Sequence, residues 1–511
     1  MSNDNNKRLA KNTIILYIRM IFVMIVSLYT SRVVLKALGV EDYGIYNVVG
    51  GVVAMFAMLS GSLSSAISRF ITFELGRGDE EKLSKVFSSS ISIQIAIAAI
   101  LVLLGETIGV LFLNTYMVIP PERMYAANWV LQFSIATFVI NLLSVPYNAA
   151  IIAHENMNIY AYVSIFECIA KLLIAYLVTV TPFDNLIVYS ALLFALSLIT
   201  RFIYGYHCQK NYTECKFRFI WDSNLLKSMF SFAGWNFIGA SSHVLRTQGC
   251  NILINLFHGA AVNAACGIAT QLNAAVHSFV GNFMTALNPQ ITKSYANNQS
   301  QRLFTLLFQG ARLSYFLLLI LSLPIIVNAN YVIELWLNVV PAHTTLFVRL
   351  ILILALSESI STPLITAILA TGKIRNYQII VGGIQLMNVP ISYILIKLGY
   401  IPESVTIVAI ILSQCCLIAR LILLRKMINL DAKEFIHRVY FNIFLVSICA
   451  IIVPIILKIS LEENLTTFLF NSLICVINTA FIIFYVGCKS KERVMIANKF
   501  RTIKSKIIKN D

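Results

Sequence analysis

The feature that most constrains this chain is the recurrence, from end to end, of apolar runs about 20 residues long, each able to cross the roughly 30 Å hydrocarbon layer as a helix. A helix is one of the two structures that satisfy their own backbone in lipid. Spans are predicted near 13–34, 43–66, 86–113, 125–150, 158–180, 185–207, 226–257, 262–287, 303–327, 345–370, 376–397, 404–424, 438–458 and 465–487. The expected fold class is therefore an all-α polytopic membrane protein of about fourteen transmembrane helices. Composition agrees: 58% of the 511 residues are hydrophobic and 12% charged, against roughly 25% charged in an average soluble domain. The first run follows Lys7, Arg8 and Lys11, but it is long, interrupted by Arg19 and followed by no small-residue cleavage site. It reads as an uncleaved first helix, not a signal peptide.

A net charge of +16 invites a nucleic-acid reading, but the basic residues follow topology. With a cytoplasmic N-terminus they concentrate in alternate segments, around Arg77, Lys216, Arg302 and Arg425 and in the tail. The intervening outside segments hold only Arg32, Lys36, Arg123, Lys397 and Lys458. That is the positive-inside pattern. It predicts both termini in the cytoplasm, a membrane as the partner surface and no nucleic acid. Ten cysteines show no metal-type C-x-x-C spacing, so neither a metal site nor a disulfide framework is expected. A Walker loop, G-x-S-x-G, H-E-x-x-H and paired acidic motifs outside the membrane are all missing. The chain is not expected to be an enzyme, to have catalytic residues or to need a cofactor. Transport would draw on gradients, the membrane potential or polymerisation outside, and not on ATP.

Internal repetition organises the chain. A shift of 220 lays "RFITFELGRGDEEKL" (69–83) over "PQITKSYANNQSQRL" (289–303) and Gly39 over Gly259. A shift of 217 lays "PYNAAIIAHENMNIY" (146–160) over "PLITAILATGKIRNY" (363–377), and "VLFLN" (110–114) answers "ELWLN" (334–338). The expected plan is a six-helix lobe over 1–210, a cytoplasmic linker over 211–222, a second six-helix lobe over 223–426, two additional helices over 427–488 and a basic cytoplasmic tail over 489–511. The offset spans an even number of helices, so the lobes enter the membrane in the same direction, a parallel repeat of the kind found in secondary transporters.

The segment "LGVEDYGIYNVVGGVVAMFAMLSGSLSSAISRFITFELGRGD" (38–79), with its Leu-Gly-x-x-x-Tyr-Gly turn and Glu-Leu-Gly-x-Gly-Asp loop, resembles the Wzx-type polysaccharide flippases of the multidrug/oligosaccharidyl-lipid/polysaccharide transporter superfamily. In layout the resemblance covers essentially the whole chain. It implies translocation of an undecaprenyl-diphosphate-linked oligosaccharide from the cytoplasmic to the outer leaflet of a bacterial inner membrane by alternating access. The product would serve O-antigen (lipopolysaccharide), capsule or exopolysaccharide assembly beside a polymerase machinery.

Candidate substrate-binding residues follow from the cost of ionisable groups inside a span. On the first helix Asn12, Arg19 and Thr30 share a narrow stripe at 100° per residue; snorkelling is the alternative for Arg19. Arg246 lies roughly 27 Å along its helix, beyond easy snorkelling. It is expected to attract the cargo's diphosphate, with His243 as its neighbour and a buried ion pair as the alternative. Gln271, Ser278, Asn282 and Thr285 share a face that suits sugar hydroxyls or inter-helix contacts. Glu167 and Lys171 stand at i and i+4, suited to mutual neutralisation or to coupling. Glu358, read as unpaired beside a helix broken at Pro363, is a further coupling candidate, and Arg349 is not its partner on helical phase. Two other classes compete: a drug/cation antiporter of the same superfamily, which would favour acidic cavity residues, and a polysaccharide polymerase or ligase, which would carry a large external loop.

Overall fold

The computed structural model describes residues 2–54, 57–115, 117, 119–218, 222–337, 342–460, 464–488 and 492–493. The basic tail therefore lies almost wholly outside the described residues. Helices follow one another as α1 (Ser2–Ala54), α2 (Ala57–Arg77), α3 (Glu80–Leu104), α4 (Val110–Thr115), α5 (Met124–Ala153), α6 (Met157–Val178), α7 (Asn185–Asn211) and α8 (Ser223–Ala296). They continue as α9 (Ser300–Val327), α10 (Ala329–Leu337), α11 (Thr344–Thr371), α12 (Arg375–Leu386), α13 (Asn388–Lys397), α14 (Ser404–Ile428), α15 (Ala432–Phe435), α16 (Phe441–Ser460) and α17 (Leu465–Ile482). No strand occurs among the described residues. Aspartates start several of these helices: Asp79, Asp184, Asp222 and Asp431 each accept a hydrogen bond from a first-turn amide, satisfying donors that the helix leaves open.

Eleven helical segments of the described residues are long and apolar enough to cross a membrane, and each matches one of the fourteen expected spans. The protein is a multi-pass membrane protein. The expected spans 43–66, 226–257 and 262–287 are helical wherever they are described but are not among the eleven. These segments carry the most glycine, serine, asparagine and histidine, which lowers their hydropathy without preventing a helix.

The internal repeat is written into the backbone. Gly39 breaks α1 with φ 80°, ψ 170°, and Gly259 breaks α8 with φ 82°, ψ 175°. That conformation is essentially confined to glycine. Gly78 and Asn298 both hold positive φ, as do Glu155 and Gly372. The three pairs are spaced by 220, 220 and 217 residues, the offsets at which the sequence aligns with itself.

Two compact units emerge, residues 1–240 with 285–299 and residues 241–284 with 300–511. In the first unit, Val49, Leu113, Val130, Leu131 and Leu186 form part of a buried core. The repeat-equivalent segments of α2 and α8 pack on each other here. A Cβ on Gly76 would stand 3.0 Å from Lys293 Cα, and the Phe73 and Tyr295 rings meet at 6.2 Å. Glu155 keeps positive φ where its counterpart is a glycine. It is buried, accepts hydrogen bonds from Lys293 (3.1 Å) and Gln290 (3.4 Å), and takes one on its carbonyl from Asn12 (3.0 Å). Those contacts offset the cost of a left-handed non-glycine residue.

In the second unit, Phe347, Leu352, Leu364, Leu424, Phe435 and Val446 are buried. Arg312 of α9 donates to the Gly487 carbonyl at 3.0 Å and to Glu492 at 2.6 Å, and Tyr315 bonds Ser447 at 2.8 Å, which fixes α16 and the segment after α17 to α9. The last carbonyls of α9 accept from Arg349 (3.1 Å) and Lys458 (2.7 Å), cations placed where a helix C-terminus favours them. α5 and α11 run helical through Pro146 and Pro363, so the expected break of the helix after Glu358 is not formed.

Candidate functional site

α8, α11, α13 and α14 of the second unit enclose a cleft of about 200 Å3. At its centre Arg246 Nη1 donates to Glu358 Oε1 at 3.1 Å. His243, Asn251, Thr270, Asn273, Asn388 and Thr406 contribute polar groups to the wall, and Ile254, Ile351, Leu354 and Val405 contribute apolar ones. The contact is a single charge-assisted hydrogen bond and not the two-pronged fork that guanidinium and carboxylate form at their strongest. The two side chains are unequal: that of Arg246 is 10% exposed and that of Glu358 35%. Both line the cleft, the arginine as the buried partner and the carboxylate as the more exposed one.

This pair corrects the sequence reading of Glu358, which is not unpaired, and for Arg246 it is the ion pair given as the alternative to a cargo contact. The residues stand 112 apart in sequence, so no spacing rule could join them. Arg349 is not the partner of Glu358, as helical phase indicates, since it caps α9.

A second arginine behaves differently. Arg19, on α1 of the first unit, lies over the Tyr160 ring with its guanidinium carbon 4.8 Å from the centroid. Its Nε and Nη1 are buried and meet no acceptor among the described residues. A guanidinium stacked on an aromatic face keeps its in-plane donors for an acceptor, and two of those of Arg19 are unused among the described residues.

The remaining candidates separate. Asn12 is 5% exposed and bonds the Glu155 carbonyl, and Thr30 bonds its own helix at Val26, so the predicted stripe does not converge on Arg19. On α8, Ser278 and Asn282 donate to backbone carbonyls of the same helix, at 2.6 Å and 2.8 Å, while Gln271 is exposed. None of the three lines the cleft, which takes the neighbouring face through Cys266, Thr270 and Asn273. Glu167 and Lys171 pair at 2.8 Å. The sequence reading missed Asn251, Thr270, Asn273, Asn388 and Thr406, which come from three helices and carry no common motif. No group of three or more His, Cys, Asp or Glu suited to a metal occurs among the described residues.

A third ionic cluster lies at helix ends of the first unit. Arg123 donates to Asp42 through Nε (2.8 Å) and Nη2 (2.5 Å), and to Asp184 through Nη1 (2.5 Å). Burial pushes the Asp184 carboxyl up, but Arg123 and the Ile187 and Leu186 amides outweigh it and hold it below the usual carboxylate range.

With this geometry in view, comparison with known proteins is decisive for the family. The description "polysaccharide biosynthesis protein" matches residues 9–295, more than half of the chain. The chain belongs to that family. It is 21% identical over 299 residues to the uncharacterized membrane protein EpsK of Bacillus subtilis (strain 168), a match spanning 58% of each chain. The fold is that of MOP-superfamily transporters. An outward-facing multidrug resistance MATE family transporter matches with a TM-score of 0.69 and 15% identity, over 82% of this chain and 96% of that one. A MOP superfamily transporter from Pyrococcus furiosus, described as having a binding pocket of reverse polarity, matches at 0.68 and 14%, over 82% and 96%. The resemblance to polysaccharide transporters seen in segment 38–79 is thus borne out at the level of family, and the solved structures with which the chain shares its fold are transporters.

Proposed function

We propose that the protein is a flippase that carries an oligosaccharide linked to undecaprenyl diphosphate from the cytoplasmic to the outer leaflet of a bacterial inner membrane, supplying surface polysaccharide assembly. The observation that carries this reading is Arg19, a guanidinium inside a membrane-spanning helix whose buried Nε and Nη1 meet no acceptor among the described residues. A cargo whose lipid diphosphate must leave water during the crossing supplies that acceptor. The Arg246 cleft, walled by amides and hydroxyls as well as a cation, supports the same class of cargo, an anion joined to a polar sugar. Of the acids singled out as coupling candidates, Glu358 is held by Arg246 and Glu167 by Lys171, which speaks against the antiporter alternative at those two positions.

The test is restoration of surface polysaccharide in a strain lacking its own flippase. The wild-type chain is expected to restore it, Arg19→Ala to fail at equal membrane abundance, and Arg19→Lys to restore part, because a point charge attracts phosphate without the planar fork. Full restoration by Arg19→Ala would remove the observation on which the proposal stands.

A further inference from the structure

In the second unit Arg246 is the buried partner in the wall of the cleft, while its acceptor, Glu358, is the more exposed partner and makes one hydrogen bond to it. The other groups around the cleft, Asn251, Thr270, Asn273, Asn388 and Thr406, can bond an incoming anion and its attached polar groups but carry no compensating positive charge. An anion that takes the Nη1 donor must displace the carboxylate, and one that binds the remaining guanidinium donors brings its charge against it, so Glu358 and the anion compete for Arg246. We infer that Glu358 is an internal stand-in for the anion, a carboxylate that occupies Arg246 in the unloaded state and is exchanged for a phosphate group of the cargo. The inference rests on the proposed function for the identity of the cargo, but its physical content is narrower: phosphate and Glu358 compete for one guanidinium.

Competition of this kind sets affinity and release together. Without Glu358 the guanidinium would bind phosphate more tightly and give it up more slowly, because nothing would return to the seat as the anion leaves. With it, each exchange trades one charge-assisted hydrogen bond for another, and neither state leaves a buried cation bare. Glu358 thus tunes specificity toward anions that outcompete a carboxylate. A diphosphate, with more charge and more acceptor oxygens than a carboxylate, is such an anion.

The experiment uses the purified full-length chain in lipid nanodiscs with inorganic pyrophosphate as the probe, followed by calorimetry. Glu358→Gln keeps the shape of the side chain and removes its charge. It is expected to bind pyrophosphate roughly tenfold more tightly than wild type, the size suited to a partly exposed ion pair. Glu358→Ala should show the same direction. The gain should vanish in Arg246→Ala/Glu358→Gln. Transport of the lipid-linked cargo by Glu358→Gln should show a lower KM together with a lower kcat, a split that a merely structural residue would not produce.

Unchanged or weaker pyrophosphate binding in both Glu358 variants would overturn the inference, as would a gain that persists without Arg246. If the pyrophosphate results hold and the wild-type chain fails to restore surface polysaccharide, the flippase reading falls while the exchange at Arg246 stands.

Discussion

The two halves of this protein share a backbone plan and differ in where they place charge. Gly39 and Gly259 adopt the same glycine-only conformation at equivalent positions, yet the arginines that enter the membrane on the helices before them are not equivalent. Arg19 lies twenty residues before Gly39, roughly 30 Å along its helix, and Arg246 thirteen before Gly259, roughly 20 Å. One has an aromatic face and no carboxylate partner among the described residues; the other has a carboxylate and a cleft. The outer features diverge in the same manner. Arg123 grips Asp42 and Asp184, whereas His343, 220 residues after Arg123, bonds Glu403 at 2.8 Å. The paired positions keep the bends and differ in their charges, which is what is expected if the bends serve the fold and the charges serve two different tasks.

The largest effect should come from striking at the shared part. Gly39→Leu and Gly259→Leu each place a side chain on a conformation that costs on the order of 1–3 kcal/mol for a residue other than glycine. Each should lower the yield of folded, membrane-inserted protein, measured by fluorescence-detected size exclusion in detergent. Comparable losses are expected for both, since neither glycine has a neighbour within 4 Å of the added Cβ and strain alone acts. A loss at only one of them would break the equivalence of the two halves.

A smaller effect should separate the arginines. Arg246→Ala leaves the Glu358 carboxylate without its partner and is expected to lower stability by about 1–2 kcal/mol, discounted from the buried-pair range because Glu358 is partly exposed. Arg246→Ala/Glu358→Gln should recover most of that loss in thermal unfolding. Arg19→Ala strands no carboxylate and should cost less than Arg246→Ala. Equal destabilisation by the two single substitutions would erase the contrast.

The smallest effect concerns the Arg123 cluster. Asp184 has a folded-state pKa below its unfolded value, so its contribution is fully present above the ordinary carboxylate pKa of about 3.9 and is lost as pH falls through the lower folded value. Wild type should therefore lose thermal stability between about pH 4 and the acid limit more steeply than Asp184→Asn. Parallel acid profiles would show that Asp184 contributes nothing to the folded state's pH dependence.

Much of the fold was legible in the sequence because its causes are local. Length and hydropathy place the spans, and self-alignment at 220 and 217 finds the positions where the backbone proves left-handed. The site was less legible because its causes are not local. Arg246 stands out by its depth, but Glu358 comes from a helix that no periodicity relates to it, and the amides around them share no spacing. Helical phase put Asn12 beside Arg19 and Asn282 beside Gln271, yet Asn12 is taken up by the Glu155 carbonyl and Asn282 by its own helix. A phase argument gives the direction of a side chain and cannot give its partner. Proline at 363 suggested a break that α11 does not make, because a helix among neighbours absorbs a missing amide.

The most direct measurement of the central claim is leaflet transfer in reconstituted proteoliposomes, with a fluorescent oligosaccharide on undecaprenyl diphosphate and a membrane-impermeant quencher. Wild-type protein is expected to expose the internal pool to the quencher, Arg19→Ala to fail, and a neutral lipid bearing the same sugar to remain protected. Transfer of the neutral lipid at the rate of the diphosphate, or no transfer of the diphosphate by wild type, would contradict the account.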